Sequence, residues 1–323
     1  MKKIIAALSL ILVIILAGCG EQTDQVSTTA PYIGGKDGIV MKFIEGMPPD
    51  YVFDNGGYGF GIAMQLDNVG EANVESGQAY VEIIGLNPGD FGKSTQADLK
   101  KSTTKILRGA KKNSDGTSIQ GDRDVIEFGD LNYRGDLHGN SGIKLRAELC
   151  YNYKTYTSTM LCIKKNIVKN LGNQKICDPN GEKTPSNSAA PVHITSLRES
   201  PLGDNKVQIV FTIENVKDVK GTIFKRASVC DDSVNNPDLN KVWVDVKTDI
   251  NGVRADCTGL MEGASRSQGY VTLYNGEPRT VTCTVDLSNV DSIFEKAYEI
   301  TLDYNYLHYI ERPLEIRDVS TNS

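Results

Sequence analysis

The sequence predicts an all-β chain built from two repeated β-sandwiches, and three observations carry that reading. Apolar and polar residues alternate with period two through many short runs, turn dipeptides punctuate those runs, and a stretch near residue 150 recurs near residue 300. The recurrence is the strongest of the three. Ala147-Glu148-Leu149-Cys150-Tyr151-Asn152-Tyr153-Lys154-Thr155-Tyr156 aligns with Ile300-Thr301-Leu302-Asp303-Tyr304-Asn305-Tyr306-Leu307-His308-Tyr309 at a shift of 153 residues. The same shift sets Leu161 and Ile163 on Leu314 and Ile316. A second match places residues 62–69 on 209–216, and both copies run in the same order, as expected of two homologous domains.

Each element follows from its residues. Ile209, Phe211 and Ile213 fall on one face of an extended chain against Gln208, Thr212 and Glu214; Tyr298, Ile300, Leu302, Tyr304 and Tyr306 do the same against Glu299, Thr301, Asp303 and Asn305. Further strands are expected at residues 80–84, 125–128, 221–229, 241–246, 270–274 and 281–287, with turns at Asn251-Gly252 and Asn275-Gly276. Each repeat is read as an immunoglobulin-like two-sheet domain, spanning residues 38–175 and 191–318, with a polar, proline-containing linker at 176–190 and a tail at 319–323. The Trp expected between paired cysteines is absent from the first domain, and Trp243 is the single Trp of the chain. Residues 87–124 form an irregular insertion, helix or loop.

The N-terminus reads as an export signal. Lys2-Lys3, an apolar run and Leu16-Ala17-Gly18-Cys19 have the parts of a secretory leader, and Cys directly after Leu-Ala-Gly resembles a prokaryotic lipobox. Residues 1–18 are expected to be removed and Cys19 to carry lipid; residues 19–37, polar and rich in Thr, Gly and Ser, are expected to be a flexible tether. The mature chain would hold 33 basic and 41 acidic residues, a net charge of −8. Nothing in that balance favours nucleic acid.

Seven cysteines less Cys19 leave an even six, expected to form disulfides in an oxidising compartment. Folding residues 143–167 as a hairpin pairs Cys150 with Cys162 while Leu149 meets Ile163 and Tyr151 meets Leu161, which makes that bond a surface one. Cys257 and Cys283 share the parity of core residues and are expected to pair. Elimination leaves Cys177 with Cys230.

No motif points to catalysis. Residues 87–94 imitate a phosphate loop but begin with Asn87 where Gly is needed; Gly-x-Ser-x-Gly and His-Glu-x-x-His are absent, and the three histidines stand far apart with no zinc-ligand spacing. No enzyme activity, cofactor or metal is expected. Tyr151, Tyr153, Tyr304 and Tyr306 have core parity, whereas Tyr156 and Tyr309 are expected at exposed hairpin tips and are candidate binding residues. Lys100, Lys101, Lys105, Arg108, Lys111 and Lys112 form a basic cluster expected to stay solvent-exposed, either as a solvated insertion with no partner or as a candidate dock for an anionic one.

The chain resembles a group of secreted or lipid-anchored archaeal surface proteins with tandem immunoglobulin-like, adhesion-module-like domains. The likeness rests on Gly38-Ile39-Val40-Met41-Lys42-Phe43 with Pro48-Pro49-Asp50, the strand ends Asn68-Val69-Gly70 and Asn215-Val216, Leu149-Cys150-Tyr151-Asn152-Tyr153 with Cys162-Ile163, and Gly269-Tyr270-Val271-Thr272-Leu273-Tyr274-Asn275-Gly276-Glu277 with Cys283. It implies a fold and a compartment, and no catalytic residues. The expectation is a non-enzymatic surface lipoprotein on the outer face of the plasma membrane, held by lipid on Cys19, meeting a surface protein or envelope polymer in adhesion or scaffolding. A glycan- or small-ligand-binding lipoprotein accessory to a transporter or hydrolase is the alternative.

Overall fold

Residues 143–163 alternate in period two without a Gly or Pro, and residues 294–312 do so equally. In the computed structural model, which describes residues 30–164, 176–250, 252–290 and 292–321, these stretches are single long strands, β9 (Ser141–Ile163) and β20 (Phe294–Arg317). They pair antiparallel along their length, from Phe294 opposite Ile163 to Ile316 opposite Ser141. Asn152 faces Asn305, Tyr151 faces Tyr306 and Tyr153 faces Tyr304. Each Asn thus meets its own copy in the repeat, so a local pseudo-twofold axis passes between them, as at an isologous interface.

The expected 143–167 hairpin is therefore corrected. Its turn would fall at Thr155-Tyr156-Thr157, β-branched and aromatic residues that favour an extended backbone and supply none of the positive φ a tight turn needs. Face alternation is satisfied equally by the hairpin and by the long ladder, so the absence of turn chemistry decides. Leu149 faces His308 and Ile163 faces Phe294.

Around this ladder lies a ten-stranded sheet. Its main path runs β17 (Met261–Ser265), β18 (Gln268–Thr272), β15 (Lys241–Lys247), β20, β9, β4 (Ala79–Ile84) and β5 (Lys100–Ser102). β11 (Ser186–Asn187) adds to β9, and β14 (Thr222–Phe224) and β2 (Tyr51–Phe53) add to β20. A three-stranded sheet, β1 (Ile39–Phe43), β3 (Phe60–Asn68) and β8 (Arg123–Leu131), belongs to the first half. A five-stranded sheet, β10 (Gly181–Lys183), β12 (Val192–Pro201), β13 (Lys206–Asn215), β19 (Arg279–Asp286) and β16 (Ala255–Thr258), belongs to the second. β6 (Lys111–Lys112) and β7 (Ser118–Ile119) form a small hairpin. One core cluster draws from the three larger sheets, including Ile62, Leu66, Leu149, Ile209, Phe211, Ile300 and Leu302, all at most 1% exposed. The all-β expectation holds, and no helix among the described residues is long and apolar enough to cross a membrane.

Each long strand serves both halves. β9 gives Tyr153 to the first half, where its hydroxyl donates to Asn68 at 2.9 Å, and Thr155 to the second, where Oγ1 donates to the Val192 carbonyl. β20 gives Tyr306 to Asn215 in the second half and His308 to the Ile39 carbonyl of the first, at 3.1 Å. Burial of these polar groups is tolerated because each finds a partner. The described residues from Pro31 onward accordingly form one compact unit. The expected linker 176–190 contributes β10 and β11 to two of its sheets. Within the expected tether, the Ile33 and Gly34 amides already bind the Glu71 carboxylate. Residues 1–29, with Cys19, lie outside the described part.

All six expected disulfide cysteines are bonded, as Cys150–Cys230, Cys162–Cys177 and Cys257–Cys283. The third matches its expectation. Cys150–Cys162 and Cys177–Cys230 do not, because one continuous strand carries Cys150 and Cys162 on opposite sides of the Asn152–Asn305 axis along β9, and both are buried rather than at the surface.

Candidate functional site

On β9 the residues opposite in parity to the core tyrosines are Cys150, Asn152, Lys154 and Tyr156, and on β20 they are Asp303, Asn305, Leu307 and Tyr309. The ladder brings these two rows together on the outer face of the ten-stranded sheet. Residues 225–240, rich in Asp, Asn and Ser, leave β14 and cross that face as a loop rather than continuing the strand expected to reach residue 229. The Cys150–Cys230 bond pins the loop beside a small apolar cluster of Phe224, Leu307, Tyr80 and Leu239.

Loop and sheet enclose a groove of about 640 Å³, lined chiefly by Gln78, Tyr80, Asn152, Lys154, Arg226 and Asp303. Its floor is a polar network centred on the pseudo-twofold axis. Asn152 Nδ2 lies 2.9 Å from Asp303 Oδ1 and 3.1 Å from Asn305 Oδ1, and Asn305 Nδ2 donates to the Ser228 carbonyl at 2.6 Å. Asp303, with 11% of its side chain exposed, faces Arg226 at 3.4 Å and Lys154 at 3.9 Å.

Arg226 is held from a second direction. Its guanidinium lies 3.9 Å over the ring of Trp243, which meets Tyr270 edge-on at 4.9 Å. At the other wall Lys100 covers the Tyr80 ring at 3.8 Å and pairs with Glu82 at 3.3 Å. Burial raises the Tyr80 pKa, with Lys100 opposing, so the phenol stays neutral through the physiological range. What this arrangement offers is a fixed guanidinium fork, an ammonium and amide groups around one buried carboxylate.

The sequence-derived candidates fare unevenly. The core tyrosines are where parity placed them, Tyr151, Tyr153, Tyr304 and Tyr306 all being fully buried. Tyr156 and Tyr309 are 37% and 54% exposed, yet they sit in mid-strand rather than at hairpin tips, with Arg146 stacked 4.1 Å over Tyr309. Burial, and secondarily Asp303, raises the Tyr156 pKa.

Five residues of the basic cluster are exposed and Lys112 is half-buried, and the cluster is not an unopposed cationic patch. Lys100 pairs with Glu82, Lys105 with Asp124 at 2.8 Å, Arg108 with Asp122 at 3.4 Å, and Lys101 donates to the Glu127 carbonyl. Lys111 and Lys112 form β6. The acids come from residues 82 and 122–124, outside the acid-poor run that motivated the expectation, and β5 pairing with β4 brings Lys100 to Glu82. Only Lys100 of the six approaches the groove.

Lys154, Asp303, Arg226 and the paired asparagines were not singled out by sequence reasoning. A usable signal existed: setting the two Tyr-Asn-Tyr copies against one another, instead of folding each on itself, places Asp303 directly opposite Lys154.

No family model matches the chain, and no curated protein does. Among solved structures, the serine-rich repeat adhesion glycoprotein Srr1 of Streptococcus agalactiae aligns over 91% of this chain and 96% of its own at 7% identity and a TM-score of 0.17. An Escherichia coli alpha-2-macroglobulin activated by porcine elastase aligns over 86% of this chain and 32% of its own, at 10% identity and a TM-score of 0.17. At such scores neither superposition carries an argument about fold or function.

Proposed function

We propose that the chain is a non-enzymatic surface protein, anchored through lipid on Cys19 to the outer face of the plasma membrane, that presents two joined β-sandwich halves in adhesion or envelope scaffolding. The observation carrying the proposal is the continuous β9–β20 ladder, which joins both halves through one sheet. Three disulfides suit an oxidising compartment, where small thiol reductants do not keep cysteines free. Rigid elements present a recognition surface at low entropic cost, since little ordering remains for binding to impose.

The test is made in intact cells. Surface labelling should reach the native protein, acylated Cys19 should appear at its N-terminus by mass spectrometry, and Cys19→Ser should release it from the membrane. Crosslinking should recover a surface protein or an envelope polymer. A cytosolic protein with reduced cysteines would contradict the proposal.

A further inference from the structure

We propose that the groove on the pseudo-twofold axis binds an acidic saccharide, a segment of polymer whose sugar rings carry carboxylates. The inference rests on the surface-protein reading above and names what that surface recognises.

Three features single out the groove. Its volume, about 640 Å³, lies within the range of roughly 300–1,000 Å³ typical of small-ligand sites. Its charge is locally positive in a chain of net negative charge: Arg226 and Lys154 share the single carboxylate of Asp303. Among the residues lining the groove these two cations and one anion are the charged groups, so the lining itself carries one positive charge. Beyond it Glu82 and Glu148 pair with Lys100 and Arg146, at 3.3 and 3.7 Å, and Asp232 of the loop lies within electrostatic reach of Glu148.

Arg226 is also pre-organised. Stacking on Trp243 and pairing of one terminal nitrogen with Asp303 fix the plane of the guanidinium, so its remaining N–H groups meet a carboxylate without first losing rotamer freedom.

The rest of the lining specifies the body of the ligand. Asn152, Asn305, Gln78 and Ser228 line it with neutral polar groups, the two asparagine amides and the serine hydroxyl already bonded within the protein. The remaining lone pairs and the Gln78 amide are what meet a ligand, a surface that suits hydroxyls better than aliphatic groups. The repeat shows how the groove gained its polarity. Positions equivalent by the 153-residue shift are Cys150 and Asp303, and Lys154 and Leu307. One side of the axis thus became a disulfide against an apolar residue, and the other a charged pair.

The experiment titrates the full-length chain in detergent micelles with a linear glucuronic acid tetramer, and in parallel with the neutral glucose tetramer of the same linkage. The acidic tetramer should bind at least tenfold more tightly, and its affinity should fall as salt rises. Arg226→Gln should weaken it tenfold or more. Lys154→Gln should do so severalfold, and that variant is the safeguard should Arg226→Gln misfold, because the Lys154 side chain is 43% exposed. Absence of binding by either tetramer, equal binding of both, or affinity untouched by either substitution would overturn the inference. Surface labelling and crosslinking in the same cells report separately on the surface-protein reading, which stands or falls by those results alone.

Discussion

Asn68 and Asn215 hold the same place in the two halves, and each accepts a hydrogen bond from the tyrosine of the long strand beneath it, Tyr153 at 2.9 Å and Tyr306 at 3.4 Å. The neighbouring backbone joins in the same way: the Ala72 amide donates to the Tyr153 hydroxyl and the Gly221 amide to that of Tyr306. On the other face of these strands the halves diverge, Cys150 against Asp303 and Lys154 against Leu307. Buried polar groups must be satisfied together, so changing one strands the others. The outer-face positions are not tied into that shared network, and there, beneath the 225–240 loop, the halves acquired a crosslink and a groove.

The largest expected difference is at the crosslink. Cys150–Cys230 spans 80 residues, Cys257–Cys283 spans 26 and Cys162–Cys177 spans 15. In a chain-entropy account, loss of the first costs about 4.5 kcal/mol, against about 3.5 and about 3 for the others. Urea melts of the three double Ser variants should rank in that order. A Cys150/Cys230 variant with wild-type stability would show that the loop over the groove is held by other contacts.

A second asymmetry is ionisable. Thr155 and His308 are equivalent in the repeat and make reciprocal contacts to Val192 and Ile39, but only the histidine titrates. Burial, reinforced by Lys217, lowers the His308 pKa from 6.5 to about 4. As pH falls through 6.5 the unfolded chain takes up a proton that the folded one refuses. Stability from this group is complete above pH 6.5 and declines toward pH 4, by up to about 3 kcal/mol. His308→Gln should flatten the stability difference between pH 7 and 4.5 relative to wild type; an unchanged slope would mean that the imidazole is solvated.

The shared nodes should differ in strength. Asn68 Nδ2 also donates to the Ala72 and Leu107 carbonyls at 2.8 and 2.9 Å in a buried setting, whereas Asn215 meets the half-buried Gly221 carbonyl and Lys217 amide at 3.2 and 3.4 Å. Asn68→Ala is expected to cost about 2–3 kcal/mol and Asn215→Ala about 1, from the length and burial of the bonds lost. Equal losses would mean that the second node is as tight as the first.

The smallest contrast lies between Tyr304 and Tyr151, also equivalent in the repeat. The Tyr304 hydroxyl meets Thr155 at 3.1 Å and the Val192 amide at 3.3 Å, while that of Tyr151, near the Ile39 backbone, makes no well-formed hydrogen bond. Tyr304→Phe should cost about 1 kcal/mol and Tyr151→Phe close to nothing. Thermal melts of the two variants separate these outcomes.

Face alternation made much of this legible in the sequence. It placed the four core tyrosines, the strands beginning near residues 80, 241 and 281, and the Cys257–Cys283 pair, whose residues share the parity of Val253, Ala255, Val281 and Val285. It did not reveal which strand faces which. A hairpin of residues 143–167 and the β9–β20 ladder satisfy the same alternation, and only the missing turn residues at 155–157 distinguish them. The groove depends on that long-range pairing and on the loop at 225–240, where the chain leaves the strand expected to reach residue 229 through a left-handed turn at Ala227, φ 60°, a residue type that does not announce one. Arg226 and Asp303 are 77 residues apart, and no local pattern links them.

The central claim, that the repeats pair with one another rather than folding separately, is tested most directly by mapping disulfides in the native protein. Proteolysis without reduction, followed by mass spectrometry, should yield peptides joining Cys150 to Cys230, Cys162 to Cys177 and Cys257 to Cys283. A peptide joining Cys150 to Cys162 would require residues 143–167 to fold back as a hairpin, and would contradict the ladder, its pseudo-twofold axis and the groove built upon it.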